Sequence, residues 1–233
     1  MAQPLSAPGA QLWLANLNAL VGGLFLLVTF ALVSLRQVYA CVRGFVAQAV
    51  LLAASAFLLA ALYGNWDLMV IGVVDLVAKA IVVPGVLRQT LHDEVQTRRE
   101  ITQVLNIPTA LLAALALTIL AYFLAQPMLA AASGPAIAVN LPIGLAGLLV
   151  GAFTAAVRRE AVPLFLGLLA MENSALFAGV AIAPEMPLIA EVSIAFDVLM
   201  MVFVVGILTR AVHERIGTTE VGALRTLREE SRR

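Results

Sequence analysis

This sequence is poor in charge. Only 12% of its 233 residues are charged, against about a quarter in a soluble domain. There is one cysteine, Cys41, so the chain can form no internal disulfide and can build no thiolate-held cluster or zinc site of its own. The two histidines, His92 and His213, fall in polar segments outside the apolar runs. No GxxxxGK[ST], GxGxxG, CxxC or HExxH pattern occurs, so nothing points to a nucleotide, iron–sulfur or zinc site in this chain, and no basic footprint points to nucleic acid. Aromatic residues make up only 6%, too few for the chromophore pocket of a seven-helix photoreceptor, which would also place its lysine in the last helix. The opening residues, MAQPLSAPGAQ, lack a positive n-region and do not read as a cleaved signal peptide.

What is present is continuous apolar sequence. Apolar residues are 62% of the chain and the mean hydropathy is +1.02. The runs are unbroken and roughly 20 residues long, the length of a membrane-crossing helix, and lack the alternation of a membrane β-barrel. The expected fold is an all-α integral membrane protein with seven transmembrane helices. The spans drawn are Leu12–Leu35, Val38–Tyr63, Leu68–Leu87, Ile107–Ala125, Ala136–Val157, Val162–Ile182 and Leu188–Ala211.

The basic residues orient these spans. Arg36 and Arg43 flank the first turn, and Arg88, Arg98 and Arg99 follow the third span. Arg158 and Arg159 follow the fifth, and Arg210, Arg215, Arg225, Arg228, Arg232 and Arg233 lie in the tail. With seven spans, thirteen of the 14 cationic residues share one side, while the opposite loops hold Asp67 and Glu185. The positive-inside rule then sets the N-terminus outside and the C-terminus in the cytoplasm.

Four parts follow along one transmembrane domain. Residues 1–87 form a first three-helix unit. Residues 88–135 comprise an amphipathic loop and a connector helix, residues 136–211 a second three-helix unit, and residues 212–233 a tail. The two units are possible duplicates: GVVDLVAKAIVVPGVLRQTL in the third span resembles SIAFDVLMMVFVVGILTRAV in the seventh. Each sets an acid ahead of a VxxG stretch that ends in arginine, Asp75 and Arg88 in one, Asp197 and Arg210 in the other. Gly147 and Gly151 in the fifth span have the GxxxG spacing that permits close helix contact, which chance in a Gly- and Ala-rich segment explains equally well.

Candidate functional residues are the ionisable groups left inside the spans, where each costs roughly 2.5–3.5 kcal/mol at the helix centre on the insertion scale. Lys79 lies midway along the third span, four residues after Asp75 and on the same face, an i,i+4 pair. It reads either as a self-neutralising structural ion pair or as a lysine poised for titration. Pro84 withdraws a backbone donor, freeing the carbonyl of Ala80, and predicts a kink. Glu172 in MENSALF and Asp197 in FDVLMM have no in-helix cation three or four residues away. Each is therefore neutral, hydrated or paired across helices, as a proton relay requires and as a merely hydrogen-bonded acid also satisfies. Glu191 near a span end and Gln48 in the second span are secondary candidates. Asn16 and Asn18 read as structural.

These residues carry a resemblance. Lys79 followed by VVPGVL, the MEN motif (Glu172, Asn173), the EVSIAFD segment (Glu191, Asp197) and the TTEVGALRTLRE tail together resemble the E subunit of hydrogenase-4 and of formate hydrogenlyase-type complexes, over most of the chain. The last three spans also resemble the K subunit of bacterial NADH:quinone oxidoreductase and the C subunit of multisubunit Na⁺/H⁺ antiporters. The resemblance would put Glu172 and Asp197 at the two mid-membrane acids of the K subunit, with Asp in place of the second Glu and a shorter segment between them. It implies a non-catalytic subunit of a group 4 [NiFe] hydrogenase or related complex-I-like assembly in a bacterial or archaeal cytoplasmic membrane. Partner subunits would hold the iron–sulfur clusters and nickel–iron site. They would include antiporter-like membrane subunits, a membrane anchor and peripheral hydrogenase subunits. This chain would hold no cofactor or metal and no catalytic residue, and would supply Lys79, Glu172, Asp197 and Asp75 to a proton or Na⁺ path. A stand-alone ion carrier, a subunit of an antiporter without a redox partner, and a structural spacer are the alternatives.

Overall fold

The computed structural model describes residues 8–85, 105–131, 135–159 and 161–182, and in them the chain is nearly all helical, with no strand. The helices are α1 (Pro8–Ser34), α2 (Val38–Tyr63), α3 (Trp66–Val77), α4 (Ile107–Ala131), α5 (Pro135–Val157) and α6 (Ala161–Ile182). A π-helical turn, Ala78–Val82, continues α3. Among the described residues six helices are long and apolar enough to cross a membrane, and a helix that is apolar all round is stable only where its surroundings are apolar too. The expected seventh span, with Asp197 and Glu191, and the 88–104 part of the amphipathic loop lie outside the described residues.

Local chemistry sets the helix ends. Gly64 closes α2 in the left-handed region (φ 65°), its N–H bonding the carbonyl of Ala60, a conformation that disfavours any residue with a Cβ. Asn65 then caps α3, its side-chain oxygen accepting from the N–H of Asp67 at 2.9 Å. Two residues thus reverse the chain. Beyond Lys79 the chain reaches Pro84, which has no N–H to give. The N–H of Val83 instead reaches five residues back to Ala78, so one widened turn precedes the proline. α4 continues through Pro127 to Ala131, six residues past the expected end. Near the end of a helix a missing N–H breaks only one bond.

Helix contacts fix the mutual directions. Asn18 early in α1 bonds Asn140 early in α5, and Arg158 just past α5 bonds the carbonyl of Leu32 late in α1, so α1 and α5 run parallel. Short connections make α2 antiparallel to α1 and α6 antiparallel to α5. Arg36, Arg43, Arg158 and Arg159 consequently gather at one end of the bundle, and Asp67 lies at the other. Trp13, Tyr63 and Trp66 stand exposed at the Asp67 end. Tyr39 stands at the basic end with the Arg43 guanidinium 5.9 Å from its ring centre. Aromatics at both rims of an apolar bundle are the pattern of residues seated at membrane interfaces.

The tightest seam joins α5 and α6. A Cβ on Gly144 would stand 2.6 Å from the Ala178 nitrogen and the Ser174 carbonyl oxygen, and one on Gly151 2.7 Å from the Met171 Cα. Gly147, on the same face, meets Ser174, so the GxxxG spacing is part of a three-glycine contact line. Small residues let backbones approach where lipid offers no hydrophobic drive to associate. Beside this seam Phe25 of α1 stacks on Phe177 of α6 at 4.3 Å between centroids. α4 lies against α5 and α1 and leaves Leu112, Leu115, Ile119 and Phe123 exposed.

A Gly151→Leu substitution is expected to push Met171 away and lower stability by about 1–3 kcal/mol or more. Gly23→Ala, where nothing lies within 4 Å, should be close to neutral. Thermal unfolding of the two variants in detergent micelles checks the contrast.

Candidate functional site

Where α2, α3 and α6 meet, an ion-paired cluster occupies the middle of the bundle. Lys79, on the π-helical turn, holds its Nζ 2.6 Å from Asp75 Oδ1 and 3.5 Å from Glu172 Oε1. All three side chains are at most 4% exposed. Glu172 lies about 15 Å along the helix rise from either end of α6. The i,i+4 spacing of Asp75 and Lys79 is realised as the short bond, made within one helix. Glu172, without a cation on its own helix, takes the same ammonium from across the interface.

The charge count of this cluster governs its chemistry. One ammonium neutralises one carboxylate, so with Lys79 and both acids ionised the three described groups would carry a net negative charge in a low-dielectric interior. Such a surplus is met by a proton or by a further partner of the cluster. Among the described residues no three His, Cys, Asp or Glu side chains come together as metal ligands.

Gln48 sits beside the cluster. Its Nε2 donates to Thr29 Oγ1 at 2.9 Å and Ser174 Oγ at 3.4 Å, and its Oε1 accepts from Asn173 Nδ2 at 3.4 Å. All four side chains are buried. A polar strip thus runs from α6 through α2 to α1 at the depth of the ion pair. The apolar stretch LLVTFALV around Thr29 carries no signal beyond its single hydroxyl, which is why Thr29 was not among the expected residues.

Two further buried arrangements were not legible as contacts in the sequence. Asn18 Nδ2 donates to Asn140 Oδ1 (2.8 Å), Asn140 Nδ2 to Ser55 Oγ (2.9 Å), and Ser55 Oγ to Asn18 Oδ1 (2.7 Å). The three bonds close a ring that pins α1, α2 and α5 and leaves each partner satisfied, which keeps Asn18 structural. Arg158, grouped by sequence with the flanking cations, is 4% exposed. Its Nη2 donates to the Leu32 carbonyl at 2.8 Å and its Nη1 to Cys41 Sγ at 3.8 Å. A cation at the C-terminal end of α1 offsets the orphan carbonyls there, so Arg158 marks the basic end of the bundle while fastening α1 to α5. Asp197 and Glu191 lie outside the described residues.

Removing Lys79 would leave two acids buried without their shared cation. Lys79→Met is expected to cost about 3–5 kcal/mol, and the double variant Asp75→Asn, Lys79→Met should recover part of that loss. Reversible unfolding in bicelles distinguishes this from equal losses in both, which would mean that the pair is not coupled.

No protein-family profile and no solved structure matches the chain. A curated relative does: "Uncharacterized protein Rv0085" of Mycobacterium tuberculosis (strain ATCC 25618 / H37Rv), 30% identical over 220 residues, which cover 92% of this chain and 99% of that protein. At that identity and coverage the chain belongs to the family of Rv0085.

Proposed function

We propose that this chain is a non-catalytic membrane subunit of a complex-I-like assembly, in first place a membrane-bound [NiFe] hydrogenase. In that role it contributes buried charge to a proton or Na⁺ path coupled to electron transfer. The observation that carries this reading is the ammonium of Lys79 held between Asp75 on its own helix and Glu172 on another, at mid-depth of an apolar bundle. Ionisable groups at that depth are costly, and proton relays are where they are found. The resemblance of the Lys79–VVPGVL, MEN and EVSIAFD segments to the hydrogenase-4 E subunit supports the choice of assembly.

Seven spans with the N-terminus outside and the tail in the cytoplasm complete the proposal. Supporting it, the described arginines gather at one end of the bundle and Asp67 lies at the other, as the positive-inside rule requires of a cytoplasmic basic end. Asp197, in the last span, would be the next station beyond Glu172, and the likeness of the Asp75 and Asp197 segments supports a duplicated three-helix origin. The redox centres would belong to partner subunits, and the membrane would be a bacterial or archaeal cytoplasmic membrane. In physical terms, a charge arriving at one station shifts the proton affinity of the next.

In the assembled complex, Glu172→Gln and Lys79→Ala are expected to leave electron transfer to a soluble acceptor intact while lowering ion pumping into proteoliposomes. Pumping at the wild-type rate in both variants would leave only a spacer role. Cation-driven transport by the isolated subunit would favour a stand-alone carrier. Purification in mild detergent with antiporter-type subunits and no redox subunits would favour a cation/proton antiporter.

A further inference from the structure

The polar strip beside the ion pair has a direction, and its direction leaves one acceptor facing outward. Thr29 Oγ1 donates to the Phe25 carbonyl at 2.9 Å and Ser174 Oγ to the Ala170 carbonyl at 2.7 Å. Each hydroxyl has one hydrogen, and each spends it on the carbonyl four residues back. Toward Gln48 both can only accept, so Gln48 must turn its NH₂ to them and its Oε1 to Asn173. Asn173 in turn must present its NH₂ to Gln48. Its own carbonyl oxygen is left over from the strip, fully buried and, among the described residues, without a hydrogen-bond partner.

A buried amide oxygen without a donor is unusual, and a site that keeps one has a use for it or a guest on it. Its position narrows the choice. Asn173 follows Glu172 directly, and successive side chains on a helix point about 100° apart. Glu172 reaches toward Lys79 on the α3 side and Asn173 toward Gln48 on the α2 side. α2 and α3 are themselves neighbours. Glu172 and Asn173 are thus successive buried side chains aimed at neighbouring helices, and Asn173 Oδ1 lacks a donor among the described residues.

We propose that Asn173 Oδ1 binds a buried water molecule that carries protons to and from Glu172, an inference that rests on the reading of Glu172 as a relay group. The water donates one O–H to Asn173 Oδ1 and faces the Glu172 carboxyl with the rest of its hydrogen-bonding capacity. A proton arriving on this water makes a hydronium, which gives one proton to the Glu172 carboxylate and reverts to water; the return step is the reverse, and no electrons move. Gln48 is a positioning residue, because its orientation fixes which way the Asn173 oxygen points. Lys79 and Asp75, from the α3 side, set the charge that Glu172 answers to.

The test is infrared spectroscopy of the full chain in lipid nanodiscs on transfer from H₂O to D₂O, following the carboxyl band that Glu172→Gln removes. In Asn173→Leu, deuterium exchange at that carboxyl is expected to slow about tenfold, the rate equivalent of one hydrogen bond lost from the transfer step. Asn173→Gln, which keeps the carbonyl, should fall between the two. Independently of any substitution that affects folding, the wild-type difference spectrum should contain an O–H stretch that shifts in H₂¹⁸O and disappears in Glu172→Gln. Unchanged exchange in folded Asn173→Leu, or no isotope-sensitive O–H band in the wild type, would overturn the water site. Those failures, with pumping by the complex still lost in Glu172→Gln, would remove the water and leave the relay standing. Normal pumping in Glu172→Gln would remove the relay itself.

Discussion

The attraction between one ammonium and two carboxylates in a low-dielectric interior is the constraint around which this bundle is arranged. Any of the three charges alone would be costly at that depth, and together they require each other's positions to be held within ångströms. The fold meets that demand unequally. Asp75 and Lys79 share one helix, so their 2.6 Å bond is set by local geometry and moves with the helix. The 3.5 Å approach of Glu172 depends on how α3 sits relative to α6. The first contact is intrinsic and the second is adjustable.

The framework on the Glu172 side is the stiffer of the two. α6 is locked to α5 along a line of glycines with backbone against backbone. It is stacked on α1 through Phe177 and Phe25 and joined to α2 through Asn173 and Ser174. α3 packs mainly on α2 among the described helices, and meets α6 through the ion pair and the edges of two apolar clusters. The π-helical turn under Lys79 adds to the contrast, because a widened turn makes fewer regular bonds than an α-helix. Glu172 is thus a fixed post, and Lys79 stands on the more compliant partner.

Much of this was legible in the sequence, for reasons that also explain what was not. Helix positions followed from apolar run length, with Arg36, Arg158 and Arg159 marking span ends. α2 matches the expected Val38–Tyr63 at both ends. The Asp75–Lys79 pair followed from spacing within one helix. Pairing across helices did not follow. A helix that is apolar all round has no polar face to say which side meets a neighbour, so nothing in the sequence aimed Glu172 at Lys79 or Gln48 at Thr29. The same absence of direction hid the ring of Asn18, Ser55 and Asn140, whose members are single polar residues on three different helices. It also hid the burial of Arg158, because an arginine at the end of an apolar run reads alike whether it faces water or a helix end.

The unequal bonding bears on how such a cluster could transmit a signal. Doubling the Lys79–Glu172 separation to about 7 Å would halve their Coulomb attraction, while the Asp75–Lys79 term would stay as it is. A small displacement of α3 against α6 therefore changes the stabilisation of the Glu172 carboxylate without discharging the lysine. Proton uptake by Glu172 would in turn weaken what draws α3 toward α6. Helix position and protonation are linked through that ion pair, and linkage of this kind acts equally in both directions. A charge displaced elsewhere in an assembly could then load Glu172, and a proton arriving at Glu172 could shift α3, with the rigid α5–α6 seam as the common reference for both.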